Sequence, residues 1–281
     1  MDKPIAFIVA LIVVTGVTYY FWQEYEARLV HVEIDSDTHV EAVNAKPEVV
    51  EEKILYPVPA FHYEAKEENE AIVEETFKTT PLPTLNDSDE VIQKALGGFY
   101  DAAKLAELFI FTEFIRHTVV SIDNLTAKTL PQRFISIQKP DAGFMVSITG
   151  NEKEILLDNN NYERYGRFMD FANTIDNDDL MMVYVRYYPL FQQAYEDLGY
   201  PGRYFNDRVI EVIDHLLQTP EIKKPILLTK PKVFYQFADP ALEKLSAGQK
   251  IMLRIGAGNA AQIKSRLKSL RQLLTTLGTK Q

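Results

Sequence analysis

Apolar positions are distributed in three different ways along the chain. Residues 5–22, IAFIVALIVVTGVTYYFW, are almost continuously apolar and uncharged. Residues 30–85 are polar and acidic, are interrupted by Pro47, Pro57, Pro59, Pro81 and Pro83, and sustain no period. From residue 86 onward apolar positions recur every three to four residues, the period of helices that bury one face. LNDSDEVIQKAL (85–96) opens this region, with Asp87 or Ser88 as N-cap and acids in the first turn. AAKLAELFIFTEFIRHTVVSIDNL (102–125) predicts a long helix in which Glu113 can pair with Arg116 or His117. NYERYGRFMDFANTI (161–175) and DDLMMVYVRYYPLFQQAYEDLG (178–199) predict two aromatic-rich helices, the second bent or broken near Pro189. Further helices are predicted over 206–218, over 240–256, and over 259–278 with Asn259 as cap and Gly278 as stop.

Strand patterns occur in two places. GFMVSITGNEKEILLD (143–158) has two short apolar runs around Gly150-Asn151, the pattern of a hairpin. PILLTKPKVFYQF (225–237) is β-rich, but Pro231 confines it to an edge or splits it. The fold class predicted is therefore mainly α, an α+β arrangement with a minor β-hairpin. Residues 86–281 are expected to form one helical domain, behind a membrane anchor (1–29) and an acidic, disordered tether (30–85).

The anchor follows from length. Eighteen helical residues span roughly 27 Å, enough for a bilayer core. Tyr19, Tyr20, Phe21 and Trp22 sit where an interfacial aromatic belt belongs. A cleaved signal peptide fits less well, because the apolar run is long and no A-x-A site precedes the aromatics. Lys3 before the span, against Arg28 after it, favours a cytoplasmic N-terminus and an exported body, which in a Gram-negative cell is periplasmic. In the tether, YPVPAF (56–61) reads either as a short polyproline stretch or as a docking peptide.

Charge and composition narrow the chemistry. Residues 31–90 carry 16 acidic and 4 basic residues, net −12, against −10 for the whole chain, so the remainder is +2. The acidity belongs to the tether and says little about the domain's partners. With no cysteine, disulfides, thiolate metal sites and cysteine nucleophiles are excluded. Of five histidines, only His117 and His215 lie outside the acidic segment. No Walker A, GxSxG or HExxH pattern occurs, and GAGN (256–259) between two helices reads as a tight turn.

The most chemistry-like stretch is YFNDRVIEVIDHLLQTP (204–220). Asn206 reads as an N-cap, and Val209, Val212, Ile213, Leu216 and Leu217 as the buried side. Asp207, Glu211, Asp214 and Gln218 recur as a solvated face. Asp214 and His215 diverge by about 100° on a helix, so they make no ready acid–base pair. Glu211 and His215 would need His117 as a third metal ligand. A ligand-binding face would draw on Asn206, Asp207, Arg208, Asp214 and His215, with Arg186 and Tyr187 from the aromatic cluster 186–195. No catalytic residue, metal or cofactor is assigned, and Ser246 has no base near it in sequence. The last helix is basic, with Lys264, Arg266, Lys268 and Arg271 around an Ile263, Leu267, Leu270 and Leu274 stripe; export argues against nucleic acid as its partner.

RHTVVSIDNL (116–125), YPLFQQAYEDLGYP (188–201), FNDRVIEVIDHLL (205–217) and FADPALEKLSAGQKIMLRIG (237–256) together resemble a proteobacterial family known as domain of unknown function 3014. The resemblance implies an envelope protein with one N-terminal span and a low-complexity tether, and brings no activity or catalytic residue. Two functions are therefore expected to compete. One is an inner-membrane protein whose periplasmic domain binds an envelope partner. The other is a periplasmic hydrolase or other enzyme using Asp207, Asp214 and His215.

Overall fold

The computed structural model describes residues 53–60, 81–140, 143–150 and 154–279. The expected anchor, 5–22, lies outside the described residues, as does most of the expected tether. Among the described residues no helix is long and apolar enough to cross a membrane.

Nine α-helices and a small sheet make up the described part of the domain. The helices are α1 (Asp89–Gly97), α2 (Ala102–Leu108), α3 (Phe114–Asn124), α4 (Gly166–Thr174), α5 (Asn177–Asp197), α6 (Phe205–Leu217), α7 (Pro240–Glu243), α8 (Ala247–Arg254) and α9 (Ala257–Thr276). The strands are β1 (Val146–Thr149), β2 (Glu154–Leu157), β3 (Leu227–Thr229) and β4 (Gln236–Phe237), antiparallel throughout and paired in chain order. The predicted hairpin is β1–β2. Pro231 splits the second β-rich segment into β3 and β4, which extend the hairpin to four strands. Leu157, Ile226, Leu228 and Phe237 from this sheet region form a minor core with Leu253 of α8.

The main core is helical, and α6 is its hub, packed against α3, α5, α8 and α9. Val209, Val212, Ile213 and Leu216 of α6 are buried, as is the Ile263, Leu267, Leu270 and Leu274 stripe of α9. Leu217 is only half-buried.

Four helix predictions need correction. The 102–125 segment is two helices, because Phe109 leaves helical geometry to bridge Ile137 while Ile110 N–H donates to the Ser136 carbonyl at 2.9 Å. Glu113 then adopts a left-handed conformation (φ 47°), and the Asp89 carboxylate accepts from the Glu113 and Phe114 amides at 2.8 and 2.9 Å, capping α3 from α1. Pro189 does not end α5, which runs unbroken for 21 residues. It stands on the exposed side, where water can serve the Val185 carbonyl that proline leaves without a donor. The 240–256 segment breaks at Ser246, whose Oγ accepts from Gln249 N–H and caps α8. Finally, α9 starts at Ala257 after Gly256, whose φ of 87° and contact with the Tyr162 ring (2.5 Å from a hypothetical Cβ) both require glycine. Asn259 is not its cap and donates to the Ile255 and Tyr162 carbonyls.

Candidate functional site

The start of α6 is capped from the outside. Its N-cap residue, Tyr204, makes no side-chain cap bond. Instead Gln192 and Tyr188 of α5 accept from the Phe205 and Asn206 amides at 2.8 and 3.2 Å, satisfying donors that a helix end leaves open. Asn206, predicted as the cap, is therefore inside the first turn and fully buried. Its Oδ1 accepts from the Tyr184 hydroxyl at 3.1 Å. Tyr188 in turn donates to Gln192 Oε1, whose amide donates to Glu196 and the Arg203 carbonyl. Burial pushes the Tyr184 and Tyr188 hydroxyls well above the ordinary tyrosine value, so both stay protonated donors.

Against this frame lies a piece of the expected tether. Residues 53–60 have no regular secondary structure and bend at Leu55–Tyr56. The Asp207 carboxylate accepts from both the Leu55 and Tyr56 amides at 2.9 Å. Asn206 Nδ2 donates to the Tyr56 carbonyl at 2.8 Å, and Val58 N–H donates to the Tyr204 hydroxyl at 2.7 Å. Tyr56 and Val58 pack on the main core, while Pro57 crosses Gly278 just beyond α9. These eight residues of the expected tether are seated on the domain by those contacts.

The other predicted site residues go elsewhere. Asp214 forms a two-pronged pair with Arg271 of α9, at 2.5 and 2.9 Å, with Tyr56 also against that guanidinium. Arg208 Nε donates to Asp123 of α3 at 2.7 Å; its other nitrogens reach the Asp123 carbonyl, Thr126 and Glu211. His215 Nε2 lies 2.8 Å from Ser246 Oγ, and its carbonyl accepts from Gln249. Arg186 lies 5.8 Å from the buried Tyr187 ring. His117 is separate from His215: it faces Glu113 at 3.6 Å and the Phe134 ring. Arg116, the other expected partner of Glu113, pairs with Asp197 instead. Among the described residues no group of three or more carboxylates and imidazoles could hold a metal. Of the face read as solvated, Asp207 and Asp214 carry contacts to residues 55–56 and to α9, while Glu211 and Gln218 are exposed.

The basic residues of α9 are likewise not one open face. Arg266 is buried, Lys264 donates to the Thr219 carbonyl and approaches Glu221, and Arg271 holds Asp214.

Sequence reasoning missed Tyr204 and the outside capping by Tyr188 and Gln192. It also missed Ser246 as the neighbour of His215. Proximity in sequence could not supply these pairs. A cleft of about 420 Å³ adjoins the docked segment, lined by Lys53, Asp123, Tyr200, Arg203, Tyr204 and Arg208 among others. Larger clefts of about 680 and 820 Å³ lie at the sheet. Neither Ser246 nor His215 lines any of the three.

Burial lowers the pKa of His117 against the pull of Glu113 and Asp89, and burial together with Arg208 lowers that of His215. The unfolded imidazoles titrate near 6.5, above their folded values, so the unfolded chain takes up more protons as pH falls through that range. Their contribution to stability is whole above about pH 6.5 and is lost below it, toward the folded pKa values. The urea midpoint is expected to decline from about pH 6.5 downward, and less steeply in His117→Gln and His215→Gln. Identical slopes in wild type and both variants would refute this.

A family model described as "Protein of unknown function (DUF3014)" matches residues 114–271. The matched span includes Tyr204, Asn206 and Asp207 and excludes both the docked segment and Gly278. No curated protein and no solved structure matches the chain.

Proposed function

We propose a function from one premise: the chain belongs to the DUF3014 family of proteins of unknown function. It is a single-pass protein of the bacterial inner membrane, held by residues 5–22, whose exported domain acts by binding a protein partner in the envelope. The uncharged span with its aromatic end and the Lys3-side bias support the location. The observation that carries the binding reading is the grip of Tyr204, Asn206 and Asp207 on the backbone of residues 55–58. A site that holds main-chain amides and carbonyls is a peptide site in its chemistry.

The rival reading, a periplasmic hydrolase, has one observation in its favour, the 2.8 Å approach of His215 to Ser246. Against it, Ser246 Oγ also caps α8, and Asp207, Asp214 and His215 turn to three different partners.

Two measurements on the full chain test the proposal. A reporter active only in the periplasm, fused after residue 281, is expected to be active; a signal confined to a cytoplasmic reporter overturns the location. Asp214→Asn with His215→Gln removes a half-exposed pair worth roughly 0–1 kcal/mol and one imidazole, so the domain should fold. In a deletion strain this double variant is expected to restore the wild-type phenotype. A well-folded variant that behaves like the deletion would favour the enzyme.

A further inference from the structure

Tyr56 and Val58 pack against the main core, and the domain presents residues 53–60 with a prepared set of polar groups. Tyr204, Asn206 and Asp207 stand on the first turn of α6, and that turn is positioned by Tyr184, Tyr188 and Gln192 of α5, not by the segment. Four hydrogen bonds across the contact use the segment's main chain, through the amides of Leu55, Tyr56 and Val58 and the carbonyl of Tyr56, and the Tyr56 side chain reaches Arg271. Proline occupies position 57, where no amide is used, and passes over Gly278 so closely that a Cβ there would stand 2.8 Å from Pro57 Cγ. The segment's largest aliphatic side chains point away: Ile54 is 49% and Leu55 62% exposed. Tyr56 and Val58 pack against the core, and the segment is otherwise held by its backbone, the part of a peptide that a recognition groove can grip whatever its side chains.

We infer that the groove between the start of α6 and the end of α9 is a recognition site for proline-interrupted peptide segments of the type Leu-Tyr-Pro-Val-Pro, and that residues 55–59 are its resident ligand. The occupant that displaces them is such a segment in a partner protein, gripped by the same two successive amides on Asp207. Pattern specificity comes from three places: a residue that must donate its amide at each of the first two positions, a side chain reaching Arg271 at the second, and proline at the third. Twenty residues, 61–80, separate the resident ligand from the rest of the domain in sequence. A ligand on so short a connection competes at an effective concentration of order millimolar, so the groove is closed to weak peptides and open to stronger ones or to a partner held nearby. This inference rests on the reading that the domain acts by binding.

The test uses the full chain and a fluorescent peptide of residues 53–60, KILYPVPA. In one variant residues 54–59 are replaced by alternating glycine and serine, which removes the resident ligand and leaves the groove. This variant is expected to bind the peptide at least about tenfold more tightly than wild type, because the tethered competitor is gone. Adding Asp207→Ala, or Gly278→Leu to fill the path of Pro57, is expected to weaken that binding by about tenfold or more. A folded glycine–serine variant that takes up no peptide overturns the inference, as does uptake indifferent to Asp207→Ala. Concentration-dependent dimers of wild type that vanish on the replacement, without peptide uptake, would make the occupant a second copy and also overturn it. Should the replacement variant fail to fold, hydrogen exchange in wild type decides. The Leu55, Tyr56 and Val58 amides are expected to exchange faster than those of Val212 and Ile213; equal protection means the segment is part of the fold and the inference falls. Peptide titration reads the groove alone, so a periplasmic reporter with no peptide uptake would remove the groove and leave the location standing.

Discussion

Leu216→Ala is expected to lower the free energy of unfolding by about 2–5 kcal/mol, toward the upper end of that range. Leu216 has no solvent exposure and lies on the side of α6 that faces α8. Its Cδ2 would stand 2.6 Å from a Cβ at position 248, and the Leu125 carbonyl oxygen would stand 2.9 Å from it, so α8 approaches this closely only because residue 248 is glycine. The backbones around Leu216 are already at contact distance and have little room to close on a void. A cavity that cannot collapse carries the full cost of lost packing as well as lost burial. Urea unfolding of the full chain should show a lower midpoint with an unchanged slope. A loss below about 1 kcal/mol would mean that the hub of the domain is not α6.

Arg208→Ala is expected to cost about 2–4 kcal/mol, somewhat below the figure for a fully buried pair because both side chains keep some exposure. The guanidinium joins α6 to α3 through Asp123, with side chains 18% and 12% exposed. Burial opposes its charge, but Glu211 and Asp123 more than offset this and raise its pKa. Removing it leaves the Asp123 carboxylate, 12% exposed, with the Tyr200 hydroxyl as its remaining hydrogen bond to a side chain among the described residues. Glu211, which is 66% exposed, loses almost nothing. The double variant Arg208→Met with Asp123→Asn should therefore be more stable than Arg208→Ala alone, since it leaves no buried charge. If the two variants unfold at the same denaturant concentration, the penalty does not come from the stranded carboxylate.

Helix existence was readable from the sequence because the period of apolar residues is a local property. The α9 stripe and the buried side of α6 follow from it residue by residue, Leu217 excepted. Helix ends were less readable, because the groups that end a helix here come from elsewhere in the chain. Asp89 caps α3 from 24 residues away, and Ser136 draws Ile110 out of the predicted 102–125 helix. Asn206 looked like a cap because its residue type favours that position; Tyr188 and Gln192 took the role from the neighbouring helix. The site was the least legible part. YPVP and Asp207 were both visible as candidates, but the contact that makes them one site spans 151 residues of sequence, and no spacing rule covers that distance. Charge misled in the same way. Lys264, Arg266, Lys268 and Arg271 looked like a cationic surface, whereas Lys264 and Arg271 are engaged by groups after and on α6, Arg266 is buried, and Lys268 is exposed.

The clasp at residues 55–58 also decides where tension enters the molecule. Any pull applied at residue 53 meets the fold at the first turn of α6 before it can reach Leu82. Four main-chain hydrogen bonds and the Tyr56–Arg271 contact resist that pull together. The same few contacts therefore bear a load applied to residues 53–60 before the helical core does.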